Sequence, residues 1–187
     1  MARVARVLRG DFLAGLQTSH ALAAPTNGVL TPRGLVMGAG AAKALAEAEP
    51  RLPRLFAEAV RREGAYQGGV YLYGFVAVEV GGRSYGAFQT KAHFRDRADL
   101  RLVHLAASRL RRFLEERPGL EVHMAFPGIG LGGLKPGEVL EALEEALGEV
   151  GNRVVLYLKT CTSRIPRINL HSLPRAAPDP GRGAPAG

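Results

Sequence analysis

A lysine and a histidine stand two residues apart in segment 88–95, which reads FQTKAHFR and directly follows a strand-like run, Ser84–Phe88. The primary amine of Lys91 can act as a nucleophile on a sugar carbon or as a cation that stabilises a leaving group. Open α/β sheets present such ligand-contacting groups at the carboxyl ends of their strands. Only four of the 25 basic residues are lysines, which makes Lys91 a candidate catalytic residue. The alternative is a surface lysine that forms ion pairs.

Two glycine-rich stretches lie between a strand-like run and a helix-like run, at residues 34–40 (GLVMGAG) and 126–133 (FPGIGLGG). At such junctions glycine lets the backbone approach a ligand closely, and the free N–H groups of the first helical turn attract phosphate oxygens. Two loops of this kind that face each other would suit a diphosphate. The alternative is that the glycines only make tight turns.

The second stretch also matches the G-x-G-x-x-G pattern, at Gly128, Gly130 and Gly133, which raises a dinucleotide site of the Rossmann type. That fingerprint normally opens its sheet, whereas here one strand-like run, 154–158, follows it, and no acidic residue ends that run. The sequence also lacks the G-x-x-x-x-G-K-[ST] pattern of P-loop proteins. Neither kind of nucleotide site is therefore expected.

Asp11 and Asn27 are two further polar candidates near strand ends. Asp11 stands in Gly-Asp-Phe after the first strand-like run, where its carboxylate could accept hydrogen bonds from an exocyclic amine or cap a turn. Asn27 stands in Thr-Asn-Gly, where its amide can donate and accept at once or make an Asx turn. The residues alone leave both alternatives open.

Helix-like and strand-like segments alternate along the chain and would position these residues. Pro50 and Pro53 separate the first two helices, Pro136 opens the last, and Gly81–Gly82 indicates a hairpin turn. The predicted helices are Gly40–Ala48, Leu52–Glu63, Asp99–Glu116 and Pro136–Leu147. The predicted strands are Val4–Leu8, Tyr71–Val80, Ser84–Phe88, Val122–Phe126 and Val154–Leu158, with Ala21–Ala24 either a strand or part of a helix. This alternation argues for a three-layer α/β/α fold.

The composition, with 47% hydrophobic and 22% charged residues over 187 positions, is that of a single globular domain. We expect that domain at residues 1–160, followed by a flexible Pro/Gly/Arg-rich tail at 161–187. The single cysteine, Cys161, allows no internal disulfide, and no zinc-type spacing exists, so neither a metal nor a cofactor is expected. No run approaches the roughly 18 apolar residues of a membrane span, and we expect a cytoplasmic protein. The net charge of +8 permits a nucleic-acid partner.

Taken in order, these motifs resemble the macrodomain family of ADP-ribose-binding proteins. The resemblance covers Val4 to about Lys159 and includes the segments GDF (10–12), TNG (26–28), GLVMGAGAAKAL (34–45), FQTKAHFR (88–95) and FPGIGLGGL (126–134). It is greatest for the branch that contains antitoxin macrodomains that remove ADP-ribose from DNA. The resemblance implies a three-layer α/β/α macrodomain with a central mixed sheet.

The resemblance also implies a role for each matching residue. Asp11 would bind the adenine amino group beside the Phe12 backbone, and Lys91 would lie at the anomeric carbon of the distal ribose, with Asn27 and His93 nearby. These three, Lys91, Asn27 and His93, are the predicted catalytic residues. The two glycine loops would wrap the diphosphate and distal ribose through Met37, Gly38, Ala39, Gly40, Gly128, Ile129, Gly130, Leu131 and Gly132.

One departure from the family bears on the reaction. Relatives that act on ADP-ribosylated glutamate carry a catalytic aspartate in the second glycine loop, where this chain has Gly132, whereas the DNA-directed antitoxins accept glycine there. We therefore expect an ADP-ribosyl hydrolase that acts on ADP-ribosylated nucleic acid or protein. The alternatives are a hydrolase of ADP-ribose 1″-phosphate or O-acetyl-ADP-ribose, and a binding module without catalysis.

Overall fold

The computed structural model describes residues 6–159 and Pro174. Its helices, in chain order, are α1 (Gly40–Ala48), α2 (Leu52–Glu63), α3 (Leu100–Glu115) and α4 (Pro136–Leu147). Its strands are β1 (Arg6–Arg9), β2 (Ala21–Thr26), β3 (Leu30–Thr31), β4 (Gly34–Leu35), β5 (Ala65–Gln67), β6 (Val70–Leu72), β7 (Phe75–Val80), β8 (Arg83–Gln89), β9 (Val122–Ala125) and β10 (Val154–Leu158). Short 3₁₀ turns occupy Phe12–Gln17, Gly130–Gly132 and Gly148–Arg153.

The four helices lie where the sequence predicts them. Asp99, predicted as the first residue of α3, is its N-cap and accepts a hydrogen bond from the Arg101 N–H. The position of Pro53 differs from the expectation, since it lies within the first turn of α2 rather than between the helices. Proline is tolerated there because the N–H groups of a first turn have no intrahelical partner.

The run Tyr71–Val80, predicted as one strand, is two strands. Gly74, with φ +69°, breaks the run, so β6 pairs with β5 and β7 pairs with β8. The predicted turn at Gly81–Gly82 does connect β7 to β8. The segment Ala21–Ala24, for which strand and helix were both open, belongs to strand β2.

The central sheet has six strands in the order β1-β10-β9-β2-β8-β7. The first five are mutually parallel and β7 is antiparallel to β8, so the sheet is mixed. Helices α3 and α4 pack on one face of the sheet. Helices α1 and α2 and the turn Phe12–Gln17 pack on the other face. The predicted three-layer α/β/α fold with a mixed sheet is confirmed.

Both faces of the sheet are buried, which explains the composition of its strands. All five residues of β10 are buried between the two helical layers, as expected of a parallel strand covered on both sides. The polar side chain of His123, on β9, is also buried in this interior, where its Nδ1 is 2.6 Å from the Tyr157 hydroxyl. Burial lowers the pKa of His123 against the opposing effect of the neighbouring Glu121 carboxylate. His123 is therefore held as a neutral core residue.

Arg83, at the start of β8, fixes the segment between the Phe12–Gln17 turn and β2. Its guanidinium donates to four backbone carbonyls, at distances of 2.6 to 3.2 Å. These acceptors belong to Gly15, Leu16, Thr18 and His20. A polar side chain of β8 thus satisfies backbone groups that no strand pairing reaches.

The predicted tail, residues 161–187, lies outside the described residues except for Pro174. The carbonyl of Pro174 accepts a hydrogen bond of 3.0 Å from the Arg9 N–H on β1. Among the described residues, no helix is both long and apolar enough to cross a membrane.

Candidate ligand-binding site

The parallel strands bring the predicted site residues to a single edge of the sheet. Asp11 follows β1, Phe126 and its glycine loop follow β9, Asn27 follows β2, and Lys91 follows β8. Because the five strands are parallel, their carboxyl ends all lie at the same edge. Neighbouring strands are about 4.8 Å apart, so β1 and β8 lie about 19 Å from each other along this edge. The edge can hold an extended ligand.

The topology predicts a crevice at this edge between β9 and β2. The chain leaves β2 toward the face covered by α1 and α2, and it leaves β9 toward the face covered by α3 and α4. Adjacent strands whose connections diverge in this way define the topological switch point at which open α/β sheets bind ligands. The two glycine loops therefore flank the crevice from opposite faces of the sheet.

The first glycine loop is open at the residues predicted to contact ligand. Gly38, Ala39 and Gly40 are exposed, and a Cβ added to Gly38 or Gly40 would meet no atom within 4 Å. Met37, in contrast, is buried. Helix α1 begins here with Ala39 as its N-cap, which offers no side-chain hydrogen bond. The first-turn N–H groups of α1 thus remain available to an anion.

The second glycine loop combines open and packed glycines. A Cβ at Gly130 (φ +66°) would meet no atom within 4 Å, whereas one at Gly128 (φ +76°) would lie 2.8 Å from the Leu134 side chain. In the part of the chain that the structure describes, the N–H groups of Gly128 and Ile129 have no acceptor. Leu131 is 87% exposed at the tip of the loop. The loop therefore presents free donors and close backbone access.

Gly132 has a packing role that its sequence context does not reveal. It is buried, and a Cβ there would lie 3.0 Å from the Ala98 Cβ. Its carbonyl also accepts a hydrogen bond of 2.9 Å from the Ala98 N–H. A side chain at this position would be in unusually close contact with Ala98. This packing favours glycine here.

Asp11 caps the turn Phe12–Gln17, as one of the two sequence alternatives proposed. Its Oδ1 accepts a hydrogen bond of 3.0 Å from the Leu13 N–H. Its other oxygen, Oδ2, lies 3.8 Å from the Lys159 ammonium, which follows β10. Lys159 was not predicted as a site residue, although its position directly after strand β10 resembles that of the predicted ones. Phe12 itself is buried.

Asn27 forms an Asx turn, which was one of its two alternatives, and it also contacts the first glycine loop. Its Oδ1 accepts from the Val29 N–H (2.9 Å) and its Nδ2 donates to the Val36 carbonyl (3.0 Å). The side chain is buried. Asn27 therefore connects the end of β2 to the first glycine loop, and both ends of its amide are engaged in that connection.

Lys91 is half-buried and its ammonium makes no hydrogen bond or ion pair with any described residue. His93 is engaged within its own turn, since its Nδ1 accepts from the Arg95 N–H at 3.1 Å. The His93 ring lies 4.2 Å from that of Phe94, and the Arg95 guanidinium lies over the Phe94 ring at 5.7 Å. The Lys91 ammonium is thus free to meet a ligand.

Three buried polar residues near Asn27 and Lys91 were not predicted as site residues from the sequence. They are Thr26, Gln89 and Thr90. The buried Tyr73 hydroxyl lies 2.5 Å from Thr26 Oγ1 and donates to the Asn27 carbonyl at 2.7 Å. Burial raises the pKa of Tyr73, so the phenol keeps its proton for this bond. In the sequence, Thr26, Gln89 and Thr90 could have been recognised as polar residues at the ends of otherwise apolar strands.

Backbone hydrogen bonds at Gly28 join the segments that carry Asn27 and Lys91. The Gly28 N–H donates to the Ala92 carbonyl (2.7 Å), and the Gly28 carbonyl accepts from the Tyr71 N–H (2.8 Å). A Cβ at Gly28 would lie 2.1 Å from the Tyr71 carbonyl oxygen. Only glycine fits this junction.

We predict that Gly28→Ala lowers the free energy of unfolding by at least about 2 kcal/mol, because the added methyl must displace backbone. Gly137→Ala is the matched control, since a Cβ at this helical position meets no atom within 4 Å. The control should leave stability unchanged or raise it by up to about 1 kcal/mol. Urea unfolding followed by circular dichroism measures both. Equal stabilities of the two variants would contradict the packing described for Gly28.

Comparisons with known proteins agree with this architecture. The sequence matches no protein-family model and no curated protein. The structure is similar to the macrodomain of Thermus aquaticus DarG, with 25% identity and a TM-score of 0.64 over 82% of this chain and 97% of that one. The macrodomain of Mycobacterium tuberculosis DarG gives 24% identity, a TM-score of 0.64 and the same coverage.

A third similar structure contains a ligand. Thermosipho africanus DarTG in complex with ADP-ribose is 19% identical, with a TM-score of 0.67 over 90% of this chain. The aligned region is 46% of that longer chain. These similarities establish the fold.

Proposed function

We propose that this chain, a macrodomain that resembles the DarG macrodomains, binds ADP-ribose along its crevice and removes it from nucleic acid or protein. The observation that carries the proposal is the pair of open glycine loops across the switch point, with Asp11 at one end of the sheet edge and Lys91 at the other. The complex of Thermosipho africanus DarTG with ADP-ribose, which shares the fold, supports the choice of ligand.

The diphosphate would lie between the two loops. The uncapped first turn of α1 and the free N–H groups of Gly128 and Ile129 are donors of the kind that bind phosphate oxygens. The positive end of the α1 dipole adds to this attraction. Gly38, Gly40 and Gly130 leave space for the ligand where side chains would fill it.

The adenine would lie at the β1 end of the crevice. Asp11 Oδ2 is free of backbone hydrogen bonds and would accept the exocyclic amine, while Lys159 at 3.8 Å keeps the carboxylate in place. The Phe12 backbone adjoins it. This orientation sends the distal ribose toward β2 and β8, where Asn27 and Lys91 stand.

The reaction would break the bond between C1″ of the distal ribose and the modified group, and water would supply the new hydroxyl. Lys91 would act there either by attacking C1″ or by stabilising the departing group as a cation. Asn27 would hold the loops that surround the ribose, since both ends of its amide are hydrogen-bonded to backbone groups. His93 retains its Nε2 for contact with substrate.

Two observations favour nucleic acid as the carrier of the ADP-ribose. Exposed aromatic and basic side chains, Phe94, Arg95 and Arg97, surround the Lys91 end of the crevice, and such combinations bind single-stranded nucleic acids by stacking and charge. The chain also has Gly132 where the glutamate-directed relatives carry their catalytic aspartate, and the close contact that a Cβ there would make with Ala98 disfavours a larger residue.

We predict that Gly38→Val weakens ADP-ribose binding at least about tenfold without lowering stability, because its side chain would enter the open space of the crevice. Isothermal titration calorimetry with ADP-ribose measures the affinity. Ser108→Val, on the exposed side of α3, is the control and should bind like the wild type. The proposal is wrong if the wild-type protein does not bind ADP-ribose.

We predict that Lys91→Ala lowers turnover at least about 100-fold while ADP-ribose affinity changes only a few-fold, because the amine acts on the reacting bond. Release of ADP-ribose is measured from ADP-ribosylated DNA, from a glutamate-linked peptide and from the small-molecule esters. Arg111→Ala, which removes a cation paired with Glu115 on exposed α3, should retain full activity. Wild-type activity in Lys91→Ala would exclude the proposed chemistry, and binding without any turnover would identify a binding module.

A further inference from the structure

The side chain of Gln89, the last residue of β8, is fully buried and uses its whole hydrogen-bonding capacity. Its Oε1 accepts from the N–H groups of Tyr73 (2.9 Å) and Gly74 (3.1 Å). Its Nε2 donates to the carbonyls of Tyr71 (2.8 Å) and Lys91 (3.2 Å). A single carboxamide thus joins four backbone groups from two separate segments.

The two N–H groups, those of buried Tyr73 and Gly74, lie where β6 and β7 are interrupted, so strand pairing does not reach them. The two carbonyls belong to half-buried residues, Tyr71 in β6 and Lys91 just after β8. The Gln89 backbone N–H also donates to the Gly74 carbonyl at 2.7 Å. Because unpaired buried backbone groups are costly, the carboxamide stabilises this particular path of the chain.

Backbone hydrogen bonds also fix the chain on both sides of Lys91. The Thr90 N–H donates to the Thr26 carbonyl (3.0 Å), and the Ala92 carbonyl accepts from the Gly28 N–H (2.7 Å). The bond from Gln89 to the Lys91 carbonyl lies between these two. The backbone of Thr90, Lys91 and Ala92 is therefore fixed, and so is the point from which the flexible lysine side chain extends.

We propose that Gln89 is the positioning residue of Lys91, which holds the amine at the reacting end of the crevice. This inference rests on the catalytic role proposed above for Lys91. Gln89 does not touch the ligand in this account, because its side chain is fully buried and all four of its polar contacts are to backbone. It acts through the peptide group of Lys91.

The direction of the four bonds makes an amide necessary at this position. Two carbonyls face Nε2 and two N–H groups face Oε1, so an ionised carboxylate of equal size would oppose the carbonyls of Tyr71 and Lys91. A protonated carboxyl group would restore one donor. Gln89→Glu is therefore a probe of nearly unchanged volume whose effect depends on pH.

Arg153→Met is the matched control. The Arg153 guanidinium donates to three backbone carbonyls at the end of α3, those of Leu114, Arg117 and Leu120. Its loss should destabilise the protein through unsatisfied backbone groups, as the loss of Gln89 does. Arg153 lies at the opposite end of the sheet from Lys91, near the start of β10.

The experiment compares Gln89→Glu, Gln89→Met and Arg153→Met with the wild type in the full chain. Three quantities are measured: amide hydrogen exchange at Gly28 and Thr90, ADP-ribose affinity by calorimetry, and kcat and KM on the substrate that the wild type processes. For both Gln89 variants we expect faster exchange at these amides, a kcat at least about tenfold lower and a dissociation constant within about threefold. Arg153→Met should change none of the three.

The pH profile separates positioning from general loss of structure. The kcat of Gln89→Glu should recover relative to wild type as the pH falls, because a buried carboxyl has a raised pKa and becomes a donor once protonated. Gln89→Met should show no such recovery. A Gln89→Glu profile parallel to that of Gln89→Met would contradict the assigned hydrogen bonds.

The remaining outcomes distinguish this inference from the proposed function. Unchanged exchange at Gly28 and Thr90 in the Gln89 variants overturns the inference. So does full activity of Gln89→Glu when Lys91→Ala is inactive. Faster exchange in the Gln89 variants together with full activity of Lys91→Ala overturns the proposed chemistry. In that case Gln89 still fixes the backbone of the Lys91 segment.

Discussion

The structure depends on how the buried backbone is satisfied where β2 and β8 end. Strand pairing stops at this edge, yet the chain stays inside the protein, so side chains must supply the missing donors and acceptors. Gln89, Asn27 and Tyr73 do so through bonds of 2.7 to 3.2 Å to the segments on either side. The polar residues beneath the crevice are thus a requirement of the fold before they are part of a site.

This requirement ties the functional segments into one unit. Asn27 joins the first glycine loop, Gly28 joins the segment of Lys91, and Ala98 joins that segment to the second glycine loop at Gly132. A ligand that enters the crevice therefore meets loops whose relative positions are already set, and such preorganisation lowers the cost of binding.

Many of the helices and strands and of the site residues were predictable, because neighbouring residues in the sequence determine them. Prolines and apolar spacing determine the helix ends, and the five motifs place Asp11, Asn27, Lys91 and the glycine loops at strand ends. What was not predicted depends on strand order. Nothing in the sequence places β8 beside β2 or Tyr71 against Gly28, so the function of Gln89, the break at Gly74 and the approach of Lys159 to Asp11 were not predicted.

A crystal structure of the protein with ADP-ribose would show directly how the ligand lies along the sheet edge. We expect the adenine beside Asp11 near β1, the diphosphate between Gly38–Gly40 and Gly128–Gly130, and the distal ribose within reach of the Lys91 amine. A ligand bound in the reverse direction, with its adenine at Lys91, would contradict the proposed binding mode, as would a ligand bound outside the crevice between β9 and β2.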